Sequence, residues 1–437
     1  MRITGTDDKI KIFLFILIPI ILFLPQIIFT FPRNYNILHI KLQLSFNLKN
    51  RSFSAEENLK LTPLCDNFTA LNLHAKNMSI KSVTFSDGQK LSFSYDSSKL
   101  SISLPEKFST RDTLTFIIRY FSIPEKGIYF MPVRTKEFAS LQIYSHSEPV
   151  DARYWFPCYD APEEKVTNEI IATVPDSFFV LSNGRLLKKF HDSRTSATTF
   201  HWLQDKPHSI YLISFAAGKY TEIRDHSGNT PVYYYVYPHQ RELAKFSFAK
   251  TPKMIRFFED TFNYPFPWDK YAQIITHKYP AGGMEHTTAT TLTDRTIHDA
   301  RAHLDRDSDE LVSHELSHQW FGDLITCKNW RDLWLNEGFA TYSEILFTEF
   351  DKGKDEADYA LYNDLQFYLD MADENFPHPI VYDGFHSPDD MFNFIEYQKA
   401  ALVLHQLRQI IGDTSFFDIL HQFLHRFAFQ CVVTEDF

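Results

Sequence analysis

At 437 residues, with 44% hydrophobic and 23% charged side chains, the chain has an ordinary globular composition and is long enough for two domains with sizeable cores. Its formal net charge of −11 includes no basic block, which excludes nucleic-acid binding through phosphate neutralisation. The four cysteines, Cys65, Cys158, Cys327 and Cys431, are widely spaced without a CxxC pair, which excludes a cysteine zinc site and leaves one disulfide or four free thiols.

Residues 12–31 carry no charge and follow Arg2, Lys9 and Lys11. Such a stretch, about 1.5 Å per residue as a helix, matches the hydrocarbon core of a bilayer. Residues 1–35 are therefore expected to form a membrane anchor or a signal segment. No small-x-small cleavage site follows, which favours an uncleaved anchor with the rest of the chain extracytoplasmic over a secreted product. Asn50, Asn67 and Asn77 stand in N-x-S/T sequons, which matter only in a glycosylating host.

From Leu38 to Leu48 apolar and polar residues alternate, with Leu38, Ile40, Leu42, Leu44, Phe46 and Leu48 on one face. Period two over this length predicts a half-buried strand. Shorter runs at 91–95, 100–104, 114–121 and 210–215, separated by Ser, Asp, Lys and Gly clusters, predict further strands of an antiparallel β-sandwich. An all-β domain is expected over 36–224.

After a Tyr-rich strand at 232–237, apolar spacing of helical period appears at 242–262, 309–324, 355–371 and 397–411, with Ser308 as a candidate N-cap. Residues 225–437 are thus expected to form a mainly helical second domain. Thr434, Glu435 and Asp436 resemble the start of a helix, which suggests a domain cut short at its C-terminal end.

The 309–324 helix contains HELSH. His314 and His318, four apart, leave the same helix face and can hold one zinc ion, with Glu315 beside them as a general base. Glu337, nineteen positions after His318, supplies a third ligand. Two imidazoles and one carboxylate leave a fourth position open, the pattern of catalytic zinc. Glu344, seven residues after Glu337, shares its helix face and is a candidate partner for a ligand histidine, and Trp320, Trp330 and Trp334 are expected in the core around this helix pair.

The stretch AGGMEH, 281–286, brings two glycines and a glutamate together. With HELSH and Glu337 it resembles the zinc aminopeptidases of the gluzincin type that include alanyl aminopeptidase and leukotriene hydrolase. SEPVDARYWFPCYDAPEEKVT from Ser147, SNG at 182–184 and EYQKAALVLHQLR from Glu396 are similar to that family's other signatures. The resemblance implies a β-rich N-terminal domain followed by a thermolysin-like catalytic domain with one zinc ion. It further implies that Glu285 and Glu148 hold the free amino terminus of a peptide, that Gly282, Gly283 and Met284 line the cleft, and that Tyr397 donates a hydrogen bond to the oxyanion. His286 stands where the family has asparagine and His146 where it has glutamine, both expected on the substrate side, and Ala400 stands in place of a glycine.

The function expected is a zinc aminopeptidase acting on peptides with a free amino terminus. A zinc endopeptidase is the nearest alternative, since the metal site cannot distinguish the two, and a non-catalytic binding protein that keeps the fold is another. Nothing in the sequence sets an oligomeric state.

Overall fold

The alternating run at 38–48 becomes the strand Tyr35–Asn47 in the computed structural model, which describes residues 32–437 except 135, 137, 375 and 376. The expected anchor at 12–31 lies outside the described residues, among which no helix is long and apolar enough to cross a membrane. Pairing of this strand with Ser52–Pro63 slips between Ile37 and His39. A slip of one residue exchanges faces, so Tyr35 and Ile37 join Ile40, Leu42 and Leu44 in the core while Leu38 is left 37% exposed.

These two strands sit at the centre of a seven-stranded sheet. All its neighbours whose pairing is resolved run antiparallel, apart from the parallel pair Tyr35–Asn47 and Lys165–Pro175. A four-stranded and a three-stranded sheet complete the β-rich N-terminal part. The strand expected at 210–215 is instead a 3-10 turn, Ile210–Leu212, leading into the strand Phe215–Gly218. Every residue from His208 to Ala217 is buried, so this apolar run has no alternating face to hold it extended.

The following part is built on a five-stranded sheet ordered Thr221–Ser227, Thr230–Val236, Tyr271–Thr276, Thr290–Thr293 and Gly283–Met284. The last three strands were not legible as a pattern, because Tyr271–Thr276 is buried on both faces and Gly283–Met284 is two residues long. Helices flank this sheet. The helical run at 242–262 divides into α1 (Ala244–Ser247) and α2 (Thr251–Phe262), since Pro252 lacks a backbone donor and is suited to a first turn.

Next comes α3 (Asp309–Ser317), shorter than the expected 309–324. His318 caps it, and Gly322, at φ +127°, turns the chain away. Ser308 precedes α3 but does not cap it: its hydroxyl donates to Ser247 O at 2.9 Å, while the Asp309 amide is taken by Asp307 Oδ1 at 3.1 Å. Then follow α4 (Trp334–Lys352), α5 (Lys354–Glu374), a π-turn Ile395–Lys399, α6 (Ala400–Ile411) and α7 (Asp413–Phe427). Thr434–Asp436 forms a 3-10 turn. All four cysteines are free thiols, and Trp320, Trp330 and Trp334 are buried. Lys165 ties the β-rich part to the loop after α3 by donating to Asp323 O at 2.7 Å.

Candidate active site

Helices α3 and α4 pack side by side and bring three ligand atoms together. His314 Nε2 lies 3.1 Å from His318 Nε2, and Glu337 Oε2 is 3.2 Å from the first and 3.4 Å from the second. Each imidazole is oriented through its other nitrogen: Nδ1 of His314 donates to Glu344 Oε1 at 2.6 Å, and Nδ1 of His318 to Phe321 O at 2.8 Å. Those bonds leave the two Nε2 lone pairs facing each other and a carboxylate oxygen. Lone pairs in that arrangement repel unless a cation sits among them. Tetrahedral zinc at about 2.0–2.1 Å from each nitrogen places them about 3.3 Å apart, so the donor set fits zinc.

Glu315 stands beside this cluster with Oε2 lacking a hydrogen-bond partner. Burial pushes its carboxyl up to about 8, against the lowering pull of His314 and His318. Its position depends on Gly283, where an added Cβ would lie 2.1 Å from Glu315 Oε1. The same strand brings Gly282 and Glu285 to the cleft, whereas Met284 is turned inward, buried opposite Thr291.

The cleft has a volume of about 560 Å³. Into it project one oxygen each from Glu148, Glu285 and Glu337, all within 4.8 Å of one another. Burial raises the proton affinity of Glu148 strongly, with Glu285 and Glu337 adding to it, and burial also raises Glu285 against the pull of His318. Tyr397 closes the far side, its ring parallel to that of His314 at 6.1 Å, and burial keeps its phenol protonated. It sits in the π-turn, a helical irregularity common at functional sites.

The two substituted histidines differ. His146 lines the cleft, with Nδ1 3.0 Å from the Tyr279 hydroxyl, and burial pushes it down to about 4. His286, expected on the substrate side, is instead wholly buried against Thr291 Oγ1 at 3.1 Å and does not line the cleft. The backbone turns it inward immediately after Glu285, and burial keeps it neutral. Ala400 packs against Gly338 of α4, whose added Cβ would come within 2.5 Å of the Ala400 Cβ.

Three residues escaped sequence reasoning. The Tyr211 hydroxyl lies 3.4 Å from Glu285 Oε1 and accepts from Asn336 Nδ2 at 3.1 Å. Gln319, directly after His318, donates to Glu285 O at 2.9 Å and accepts from the Thr288 amide at 2.9 Å. Only the burial of a polar residue next to a motif could have singled out Gln319 or Asn336. Tyr211 carried no signal within its apolar run.

Residues 31–212 match the model of the peptidase M1 N-terminal domain, and residues 246–437 match that of the peptidase family M1 domain. Mitochondrial aminopeptidase 2 of Saccharomyces cerevisiae is 31% identical over 69% of this chain and 32% of its own length. Glutamyl aminopeptidase of Rattus norvegicus is 32% identical over 66% of this chain and 31% of its own. Leukotriene A-4 hydrolase of Xenopus laevis is 26% identical over 93% of this chain and 68% of its own. The chain thus spans about a third of the length of the curated aminopeptidases it matches. A solved two-domain M1 zinc metallopeptidase bound to L-tryptophan shares the fold, with a TM-score of 0.76 at 23% identity over 92% of this chain and 90% of that one.

Proposed function

Because the chain belongs to peptidase family M1, we propose that it is a zinc aminopeptidase that removes the first residue from peptides with a free amino terminus. The observation that carries this reading is the convergence of Glu148 and Glu285 beside the metal-ligand set, within 4.8 Å of Glu337. Two buried carboxylates, each with its proton affinity raised by burial and that of Glu148 raised further by Glu285, are relieved by one substrate ammonium, and an ammonium fixed there leaves only the first peptide bond within reach of the ligands. An endopeptidase has no use for such a pair.

His314, His318 and Glu337 would hold the zinc ion, which when bound acidifies a water and polarises the carbonyl. Glu315 takes the proton of the attacking water and hands it to the leaving amine. Its raised proton affinity, near that of neutral solution, suits both roles. Tyr397, held protonated, donates to the developing oxyanion. Gly282 and Gly283, on the edge strand of the sheet, offer backbone to the substrate as a further strand. Met284 supports that strand from beneath. The catalytic part begins near residue 224, and segment 12–31 anchors the chain in a membrane with the rest extracytoplasmic. Alkaline carbonate extraction and protease protection test that placement.

Hydrolysis of aminoacyl arylamides with and without a chelator is the direct test of the enzyme assignment. Chelator-sensitive turnover is expected, and its absence from the metal-loaded protein would refute the proposal. Glu285→Gln is expected to raise KM for free-amino substrates by about 10- to 100-fold, through loss of a charge-assisted hydrogen bond. Cleavage of N-acetylated peptides at the same rate as free ones would point to an endopeptidase.

A further inference from the structure

Along α3 the cleft has a direction. Glu285 is tied to the C-terminal end of the helix, where Gln319 donates to its carbonyl at 2.9 Å, while Glu310 stands in the first turn. Eight residues separate Glu310 from His318, about 12 Å along the axis at about 1.5 Å per residue. A peptide whose amino group is held by Glu285 and Glu148, with its first carbonyl at the histidines, therefore sends its leaving portion toward Glu310.

That end of the cleft is acidic. Glu310 and Glu344 line it, and Asp364 of α5 stands behind them, close enough for its carboxyl to feel both. Burial pushes Asp364 up to about 7, with Glu344 and Glu310 adding to the effect. No lysine or arginine lines the cleft among the described residues, and neither Glu310 nor Asp364 has an ion pair there. Lys352, whose charge reaches Glu310, is engaged with Asp307 at 2.8 Å. Deeper in the same cleft Glu315, 5% exposed, presents an oxygen without a partner. Glu310 is exposed on the cleft wall, where a ligand in the cleft can reach it. Asp364 is half-buried and has no counter-ion in reach, a configuration that a ligand cation stabilises.

We propose that the leaving-group side of this cleft selects peptides with a cationic side chain, lysine or arginine, in the residue that follows the scissile bond. Glu310 makes the contact and Asp364 reinforces it. The inference rests on the aminopeptidase reading, which fixes the direction of the peptide. Glu344, already occupied by His314, adds charge but is not free to move toward the substrate.

The test compares kcat/KM for Ala-Lys-Ala, Ala-Ala-Ala and Ala-Glu-Ala with that for alanyl arylamide, which has no side chain beyond the scissile bond. Lysine is expected to be preferred over alanine about tenfold, the worth of one partly screened charge contact, and over glutamate by more, with the ratio shrinking as salt is added. Glu310→Gln and Asp364→Asn should each lower the lysine preference at least about threefold while arylamide turnover holds steady. A ratio near one in the native protein, or a ratio untouched in both variants, overturns the inference. Equilibrium binding of the three peptides to the metal-loaded Glu315→Gln protein separates the two proposals. Equal affinities overturn this one even if arylamides are hydrolysed. Tighter binding of the lysine peptide supports it even if they are not, in which case the aminopeptidase reading alone fails.

Discussion

Gly283→Ala is the sharpest probe of the cleft. The new methyl would lie 2.1 Å from Glu315 Oε1, 2.4 Å from its Cδ and 2.7 Å from its Cγ. Restoring an ordinary 3.4 Å contact requires the carboxylate to retreat by about 1.3 Å, and because Cγ is also too close the whole side chain must change rotamer. The backbone at 283 is not in the left-handed region, so the substitution itself introduces no backbone strain, and the group displaced is a flexible side chain and not backbone. Stability should therefore change by less than about 1 kcal/mol, since the smaller entropy of unfolded alanine offsets the local adjustment. Activity should not be spared: a misplacement of about 1 Å in a group that handles the proton lowers kcat roughly 100-fold or more. The histidines and Glu337 are untouched, so bound zinc should stay near one per chain. Arylamide kcat, metal content and melting temperature read the three quantities separately. Wild-type kcat in a folded, zinc-loaded Gly283→Ala protein would refute the placement of Glu315 as the base.

Two further outcomes follow from the ligand geometry. Glu344→Ala removes the acceptor that holds His314 Nδ1 at 2.6 Å and should weaken zinc about 10- to 100-fold in a competition titration, leaving the fold intact. Zinc affinity should also climb with pH. In protein freed of metal, burial favours the neutral imidazole of His318 but Glu285 and Glu337 outweigh it, raising its pKa to about 9. A proton therefore occupies the ligand site below that value and zinc must displace it. The apparent Kd should fall about tenfold per pH unit for each proton displaced between pH 6 and 8, and an affinity flat across that window would contradict the assignment.

The convergence of His314, His318 and Glu337 was legible because its spacing is local: His314 and His318 share a helix face, and Glu337 and Glu344 share another two turns long. Helical periodicity also located α5 and α6 to within a few residues. It failed where tertiary demands override local pattern. The 210–215 run reads as a strand, yet it is buried throughout and turns so that Tyr211 reaches Glu285. Leu38 fits its alternation but faces solvent, because the register slip falls on it and reverses the face. Ser308 has the chemistry of a cap, but its hydroxyl is turned to donate to Ser247 O and accepts from no first-turn amide. Glu285 and Glu148 come from segments 137 residues apart, and only resemblance to a family could bring them together before the fold did. His286 shows the limit of that route, since adjacency to a cleft residue says nothing about which way the next side chain points.

The contact between Gly338 and Ala400 gives the two walls of the cleft unequal compliance. Glu337 precedes Gly338 directly, and Tyr397 lies three residues before Ala400, so metal ligand and hydroxyl donor are clamped across an interface with no room for even a methyl group. These two groups share one rigid frame. Glu148 arrives from the opposite side, on the β-rich part of the chain. Of the two carboxylates proposed to hold an amino group, Glu285 is tied to the α3 side by Gln319, and Glu148 alone comes from the β-rich part.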